Sequence, residues 1–247
     1  MKALLFGSIG VLVDSSHLQL EAYNAAFDDE GLGWHWSAQE YRRLLGEVVG
    51  GRRRLERYAR AGGARAPDAA TLDRVHATKT RLFDEWLFEG RASARPGVRR
   101  LLEEAAAAGV KTGFVTSTEL ANVRATLEAA GDGVRLERFD VFTHRGTVPA
   151  PKPDPAPWTK ALAELGLEPG AAVAVEDTAE CVGSAVDAGL ACVATPNSFA
   201  LDQDFSRALA TVDRLGDLDA PARPIAGVDI VEDGLVTLER LASLLAR

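Results

Sequence analysis

The chain has 247 residues, 47% hydrophobic and 26% charged, enough to bury a sizeable core as one large domain or as a core domain with a smaller insert. A formal net charge of -8 argues against nucleic-acid and anionic-membrane partners, which are drawn by clustered Lys and Arg. The two cysteines, Cys181 and Cys192, form neither a disulfide framework nor a C-x-x-C metal pair, so a reducing, cytoplasmic setting is expected.

Leu4 to Asp14 reads L-L-F-G-S-I-G-V-L-V-D, a buried first strand running into a tight turn. The apolar run from Ala3 to Val13 is shorter than the roughly 20 residues a bilayer span needs, and Lys2 alone supplies basic charge ahead of it, so a strand is favoured over a signal peptide. Leu18, Ala22, Ala25 and Ala26 then fall on one face of a helix ending near Gly31. Ser37 followed by Glu40 has capping-box spacing and predicts another helix start. From residue 15 to residue 92 the pattern is helical, with a Gly/Ala/Pro-rich break from Ala61 to Pro67, and reads as a helical insert.

Arg95-Pro96-Gly97 resumes the partner domain, residues 1–14 with 93–247. Val98, Leu101, Leu102 and Ala105 form a helical stripe closed by Gly109. Strands are expected at 111–116, 140–143, 171–176 and 191–195, alternating with helices at 119–130, 155–165 and 180–188. A short strand at Val228 to Val231 and a closing helix over 236–245 complete the reading. Such alternation predicts a doubly wound α/β fold, a Rossmann-like parallel sheet whose ligands sit beyond the carboxyl ends of the strands. Thr116, Lys152 and Glu176-Asp177 fall at that end.

These motifs in this order resemble the haloacid dehalogenase superfamily: the strand-one loop, Thr116 after a hydrophobic strand, Lys152-Pro153-Asp154-Pro155 ahead of a helix, and Val175-Glu176-Asp177-Thr178 with a downstream Asp187-Ala188-Gly189-Leu190. Within it the insert resembles the helical cap of the β-phosphoglucomutase-like branch. The nearest likeness is to CbbY-type sugar-phosphate phosphatases, through Gly50-Gly51-Arg52-Arg53-Arg54-Leu55, Arg95-Pro96-Gly97-Val98 and Thr195-Pro196-Asn197.

The resemblance implies a carboxylate nucleophile at position 7, an acid/base at position 9, and Mg²⁺ to offset phosphoryl charge. It implies that Thr116 meets the phosphoryl oxygens, that Ser117 is substrate-binding, that Lys152 pairs with nucleophile and phosphate, and that Asp177 ligates the metal with Glu176 in support. Arg54 and Lys79 are implied as substrate-binding residues of the cap. The chain departs at three positions: Gly7 and Ile9 stand where the two aspartates belong, and Gln19 where the branch has a histidine.

Loss of the position-7 carboxylate implies weak Mg²⁺ binding without bound phosphate, and Lys152 is expected to pair with Asp177 or Glu176 when no ligand is present. Ser8 is expected to point away from the site, by alternation along an extended backbone. His17, His35, His76 and His144 lack ligand or triad spacing. Three classes of function stay open: a phosphatase-like protein without aspartate catalysis that binds a small sugar phosphate, an active phosphohydrolase with an atypical nucleophile, and a non-catalytic scaffold. The sequence carries no signal for an oligomeric state.

Overall fold

The computed structural model describes residues 1–48, 50–62, 66–131 and 133–246. Along the chain run β1 (Ala3–Phe6), α1 (Ile9–Leu12), α2 (Ser16–Asp29), α3 (Ala38–Glu47), α4 (Gly51–Ala61), α5 (Ala69–Phe88) and α6 (Val98–Ala108). There follow β2 (Lys111–Val115), α7 (Leu120–Ala129), β3 (Val141–Thr143), α8 (Ala156–Leu165), β4 (Ala172–Glu176), α9 (Ala179–Asp187), β5 (Ala191–Ala194), β6 (Ala210–Val212), β7 (Pro224–Gly227), β8 (Val231–Glu232), β9 (Leu235–Val236) and α10 (Leu238–Ser243). The chain divides into two compact units, Met1–Asp14 with Ala92–Arg247, and Ser15–Arg91.

The first unit is the α/β fold that the alternation predicts. Its seven-stranded sheet has the order β3-β2-β1-β4-β5-β6-β7, parallel except for the β6–β7 pair. All four residues of β1 are fully buried, as a central strand covered on both faces requires. Phe6 is level with Phe114 on β2 and with Val175 on β4, so the next rung aligns Gly7, Val115 and Glu176. The chain order reverses direction about β1, and this switch point is where open sheets place ligands. One side of the core is filled by Leu5, Val115, Trp158, Leu162, Ala174 and Val182, which packs α8 and α9 against the sheet.

Three expectations need correction. The strand expected at Val228 to Val231 is instead a bend, with β7 ending before it at Gly227 and β8 beginning at Val231. β6 and β7 have no counterpart in the sequence reading. Pro224 opens β7, Gly227 closes it, and all four of its residues are exposed, so no apolar periodicity marks it. The tight turn after β1 contains a short helix, α1.

Among its described residues the second unit is built of helices and connecting loops, with no strand. Ser37 caps α3 as its spacing predicts, accepting from the Glu40 amide at 3.1 Å. Its centre is aromatic: Trp36 is fully buried, with ring centroids of Tyr23, Phe27 and Tyr58 at 4.7, 4.9 and 5.4 Å. Trp34 packs on Phe27 and Tyr58, so both tryptophans serve packing. The break expected from Ala61 to Pro67 lies partly outside the described residues.

Candidate active site

Strand ends build the site. Lys152, in the loop ahead of α8, has a side chain only 6% exposed, and its ammonium donates to Gly7 O at 3.0 Å, Val115 O at 2.7 Å and Glu176 Oε1 at 2.5 Å. It thus fastens the ends of β1, β2 and β4 together. The Trp158 ring lies 4.2 Å from the same nitrogen. Of the two expected carboxylate partners, Lys152 takes Glu176. Burial pushes the Glu176 carboxyl up from the ordinary range, with the Lys152 charge pulling it back down.

Position 7 explains how Glu176 reaches that place. A Cβ built on Gly7 would overlap the Glu176 carboxyl group, so the carboxylate fills the volume that any side chain at residue 7 would enter. Gly7 does not have a positive φ, so its backbone would accept other residues, and a side chain there requires only that the flexible end of Glu176 move aside. Gly10 is similar: a Cβ there would overlap Asp177 Oδ2.

Asp177 is 5% exposed and held from two sides. Ser8 Oγ donates to Oδ1 at 2.5 Å, and Asn197 Nδ2 donates to Oδ2 at 2.8 Å. The expectation that Ser8 points away from the site is therefore wrong. Strand pleating ends at Phe6 and Ser8 is the N-cap residue of α1, so the entry into the helix aims its side chain. Ile9 is half-buried in the first turn of α1 and brings no polar group.

Thr116 is 2% exposed, donating its hydroxyl to Thr118 Oγ1 at 3.0 Å and accepting from the Thr118 amide at 3.1 Å. Ser117 Oγ accepts from the Lys152 amide at 2.9 Å, which fixes the loop carrying that lysine. Thr116, Ser117, Lys152, Glu176, Asp177 and Gly7 are thus gathered at the carboxyl ends of the central strands.

Sequence reasoning gave Arg95 and Asn197 no task beyond marking the resemblance. Arg95 is 9% exposed and donates to Gly10 O, Thr195 O, Thr195 Oγ1, Pro196 O and Asp213 O at 2.7 to 3.0 Å. It binds the turn after β1 to the loop that presents Asn197 to Asp177. The signal was an arginine at a strand-domain junction beside Pro96-Gly97, where Gly97 adopts φ 91°.

The two residues expected of a cap, Arg54 and Lys79, lie in the helical unit. Lys79, 8% exposed, donates to Gln19 Oε1 and lies 5.1 and 4.8 Å from the Tyr23 and Phe83 ring centroids. Burial, reinforced by the Arg54 charge, lowers its pKa to about 8. Arg54 donates to Val48 O at 3.2 Å, whereas Arg52 is spent on Asp73 and Glu56. His76 is lowered below its ordinary value by burial and then by Lys79.

For a divalent ion, Asp177 and Glu176 are adjacent, but Glu176 is paired with Lys152 and positions 7 and 9 offer no side-chain ligand. No group of three or more His, Cys, Asp or Glu side chains suited to a metal occurs among the described residues. This donor set does not fit a tightly held Mg²⁺, which demands octahedral oxygen ligation. No described helix is long and apolar enough to cross a membrane.

The family model for haloacid dehalogenase-like hydrolase matches residues 1–189. The chain is 39% identical over 231 residues to the protein CbbY of Cupriavidus necator, covering 91% of this chain and 89% of that one. It is 31% identical over 191 residues to a phosphorylated carbohydrates phosphatase of Thermotoga maritima, covering 77% and 82%. Among solved structures, an aspartate-to-asparagine mutant of CbbY from Rhodobacter sphaeroides, in complex with xylulose-1,5-bisphosphate, superposes with a TM-score of 0.72 at 33% identity, covering 89% of this chain and 98% of that one.

Proposed function

We propose, from the premise that the chain belongs to the haloacid dehalogenase-like hydrolases and is akin to their sugar-phosphate phosphatases, that it binds a small phosphorylated metabolite without aspartate-based phosphatase catalysis. The observation that carries this reading is the Glu176 carboxylate in the space of a residue-7 side chain. The phosphoryl-attacking group is missing, and its volume is filled by a neighbour already committed to Lys152. Lys152, Thr116 and Ser117 supply the anion-binding side, and Arg54 and Lys79 of the helical unit are assigned to ligand binding. Lys79 supports this by holding charge in a largely buried place with Gln19 as a neutral partner. The solved CbbY mutant carries a sugar bisphosphate with one aspartate replaced, which agrees with binding that does not depend on a full aspartate complement.

Mg²⁺, when bound, would offset phosphoryl charge. Asp177 and Glu176 would hold it, weakly unless phosphate oxygens complete the shell. A structure in Mg²⁺ without ligand, showing a full octahedral ion on Asp177, would contradict that assignment.

Phosphatase assays on a panel of small sugar phosphates with Mg²⁺ test the catalytic half of the proposal. Turnover at ordinary enzymatic rates that vanishes in Asp177→Ala would sink it. Thermal-shift screening tests the binding half, since a ligand at 100 times its Kd stabilises by about 2.7 kcal/mol. No shift with any phosphate would favour a non-catalytic scaffold.

A second reading has one observation in its favour. Ser8 Oγ lies 2.5 Å from Asp177 Oδ1, so the turn after β1 does present a hydroxyl hydrogen-bonded to a carboxylate. An active hydrolase with this atypical arrangement would show turnover that Ser8→Ala abolishes.

A further inference from the structure

Resting on the ligand-binding reading above, we infer that Glu176 is the internal occupant of the anion site, and that a phosphorylated ligand reaches Lys152 only by exchanging with the Glu176 carboxylate. A lysine ammonium has three N–H donors. Here they go to Gly7 O, Val115 O and Glu176 Oε1, with the side chain 6% exposed. Two of those acceptors are strand-end carbonyls fixed by the sheet, because Gly7 N donates to Val175 O at 2.9 Å and β2 pairs with β1 and β3. The third is the end of a flexible side chain. Of the three partners, Glu176 is the one a ligand can displace without breaking the sheet.

Thr116 is closed in the same way, its hydroxyl exchanged with Thr118. The anion-binding groups therefore satisfy one another, and the space beside Gly7 opens only when Glu176 leaves it. This sets the kind of anion that succeeds. A monoanion offers Lys152 no more charge than the carboxylate it replaces, whereas a phosphomonoester at pH 7 carries about -1.5 to -2 and three acceptor oxygens. The exchange selects phosphate dianions over chloride, nitrate and simple carboxylates.

Two substitutions release the site by unrelated routes. Glu176→Gln keeps the shape and removes the competing charge. Gly7→Ala leaves Glu176 intact but puts a Cβ where its carboxyl group lies. Inorganic phosphate is titrated calorimetrically into the full chain in EDTA at constant ionic strength, with folding of each variant checked by circular dichroism. Both variants should bind phosphate at least about tenfold more tightly than the wild type, and Lys152→Ala should bind none. Phosphate affinities equal to wild type in both folded variants overturn the inference while leaving the ligand-binding reading standing. Binding by the variants but not by the wild type supports the inference and removes the ligand-binding reading for the natural chain. No binding by wild type or either variant overturns both.

Discussion

Lys79 offers a quantitative check, because its environment sets both the sign and the size of an effect on stability. The folded chain holds its ammonium 8% exposed, and burial together with Arg54 lowers its pKa from 10.5 to about 8. The unfolded chain keeps the ordinary value. Between pH 8 and 10.5 the unfolded state therefore binds more protons than the folded one, and stability rises with pH across that window. Each pKa unit corresponds to about 1.36 kcal/mol, so the full rise is about 3 kcal/mol. Lys79→Met preserves the packing against Tyr23 and Phe83 and removes the titration. Urea unfolding of both proteins at steps from pH 7.5 to 10.5 gives two profiles whose difference isolates this residue, since every other alkaline group is common to both. The wild type should gain about 3 kcal/mol on the variant across the window. Parallel profiles would mean that Lys79 is solvated in the folded chain and would refute the burial described.

Gly7→Asp combined with Ile9→Asp should give Mg²⁺-dependent phosphatase activity on small sugar phosphates, with Glu176 displaced from Lys152; a well-folded double variant without turnover would show that the surrounding groups no longer support the chemistry. Arg95→Leu leaves four backbone carbonyls and Thr195 Oγ1 without their guanidinium donors, and should cost about 4 kcal/mol in urea unfolding; a loss under about 1 kcal/mol would refute the assigned role. Gly97→Ala combines φ 91° with a Cβ 2.5 Å from the Leu215 carbonyl carbon, so a fall in stability of about 2 kcal/mol or more is expected, and an unchanged Tm would count against the packing described.

The parts of the fold carried by periodic sequence were legible, and so was the family. β1, β2, β4 and β5 are apolar runs between amphipathic stretches, and Ser37-Ala38-Gln39-Glu40 marked a helix start through a hydrogen bond the structure contains. β7 was not legible, because an exposed edge strand opened by Pro224 has no apolar alternation to detect. Within the site, the polar groups at the strand ends could be found from their positions in the motifs. Their pairing could not. Ser8 turned on where strand geometry stops, and alternation holds only as long as the chain stays in the sheet. The placement of Glu176 turned on an empty volume at Gly7, and a missing side chain carries no directional signal of its own. What the sequence did offer was an acid and a glycine on neighbouring strand ends, a combination that register alone could have flagged.

The filling of residue 7's space by Glu176 also bears on reversibility. On the proposed reading, an aspartate introduced at position 7 by itself meets the Glu176 carboxylate and competes with it for Lys152, while Ile9 offers no proton. Gly7→Asp alone is thus expected to be less stable than the natural chain and no more active, and Ile9→Asp alone gains nothing without a nucleophile. Each single step back is disfavoured, although the pair together is expected to restore chemistry. On that reading positions 7 and 176 act as a ratchet: libraries randomised at positions 7, 9 and 176 and selected for phosphatase turnover should return compound changes, and recovery of single Gly7→Asp clones would show that the ratchet does not hold.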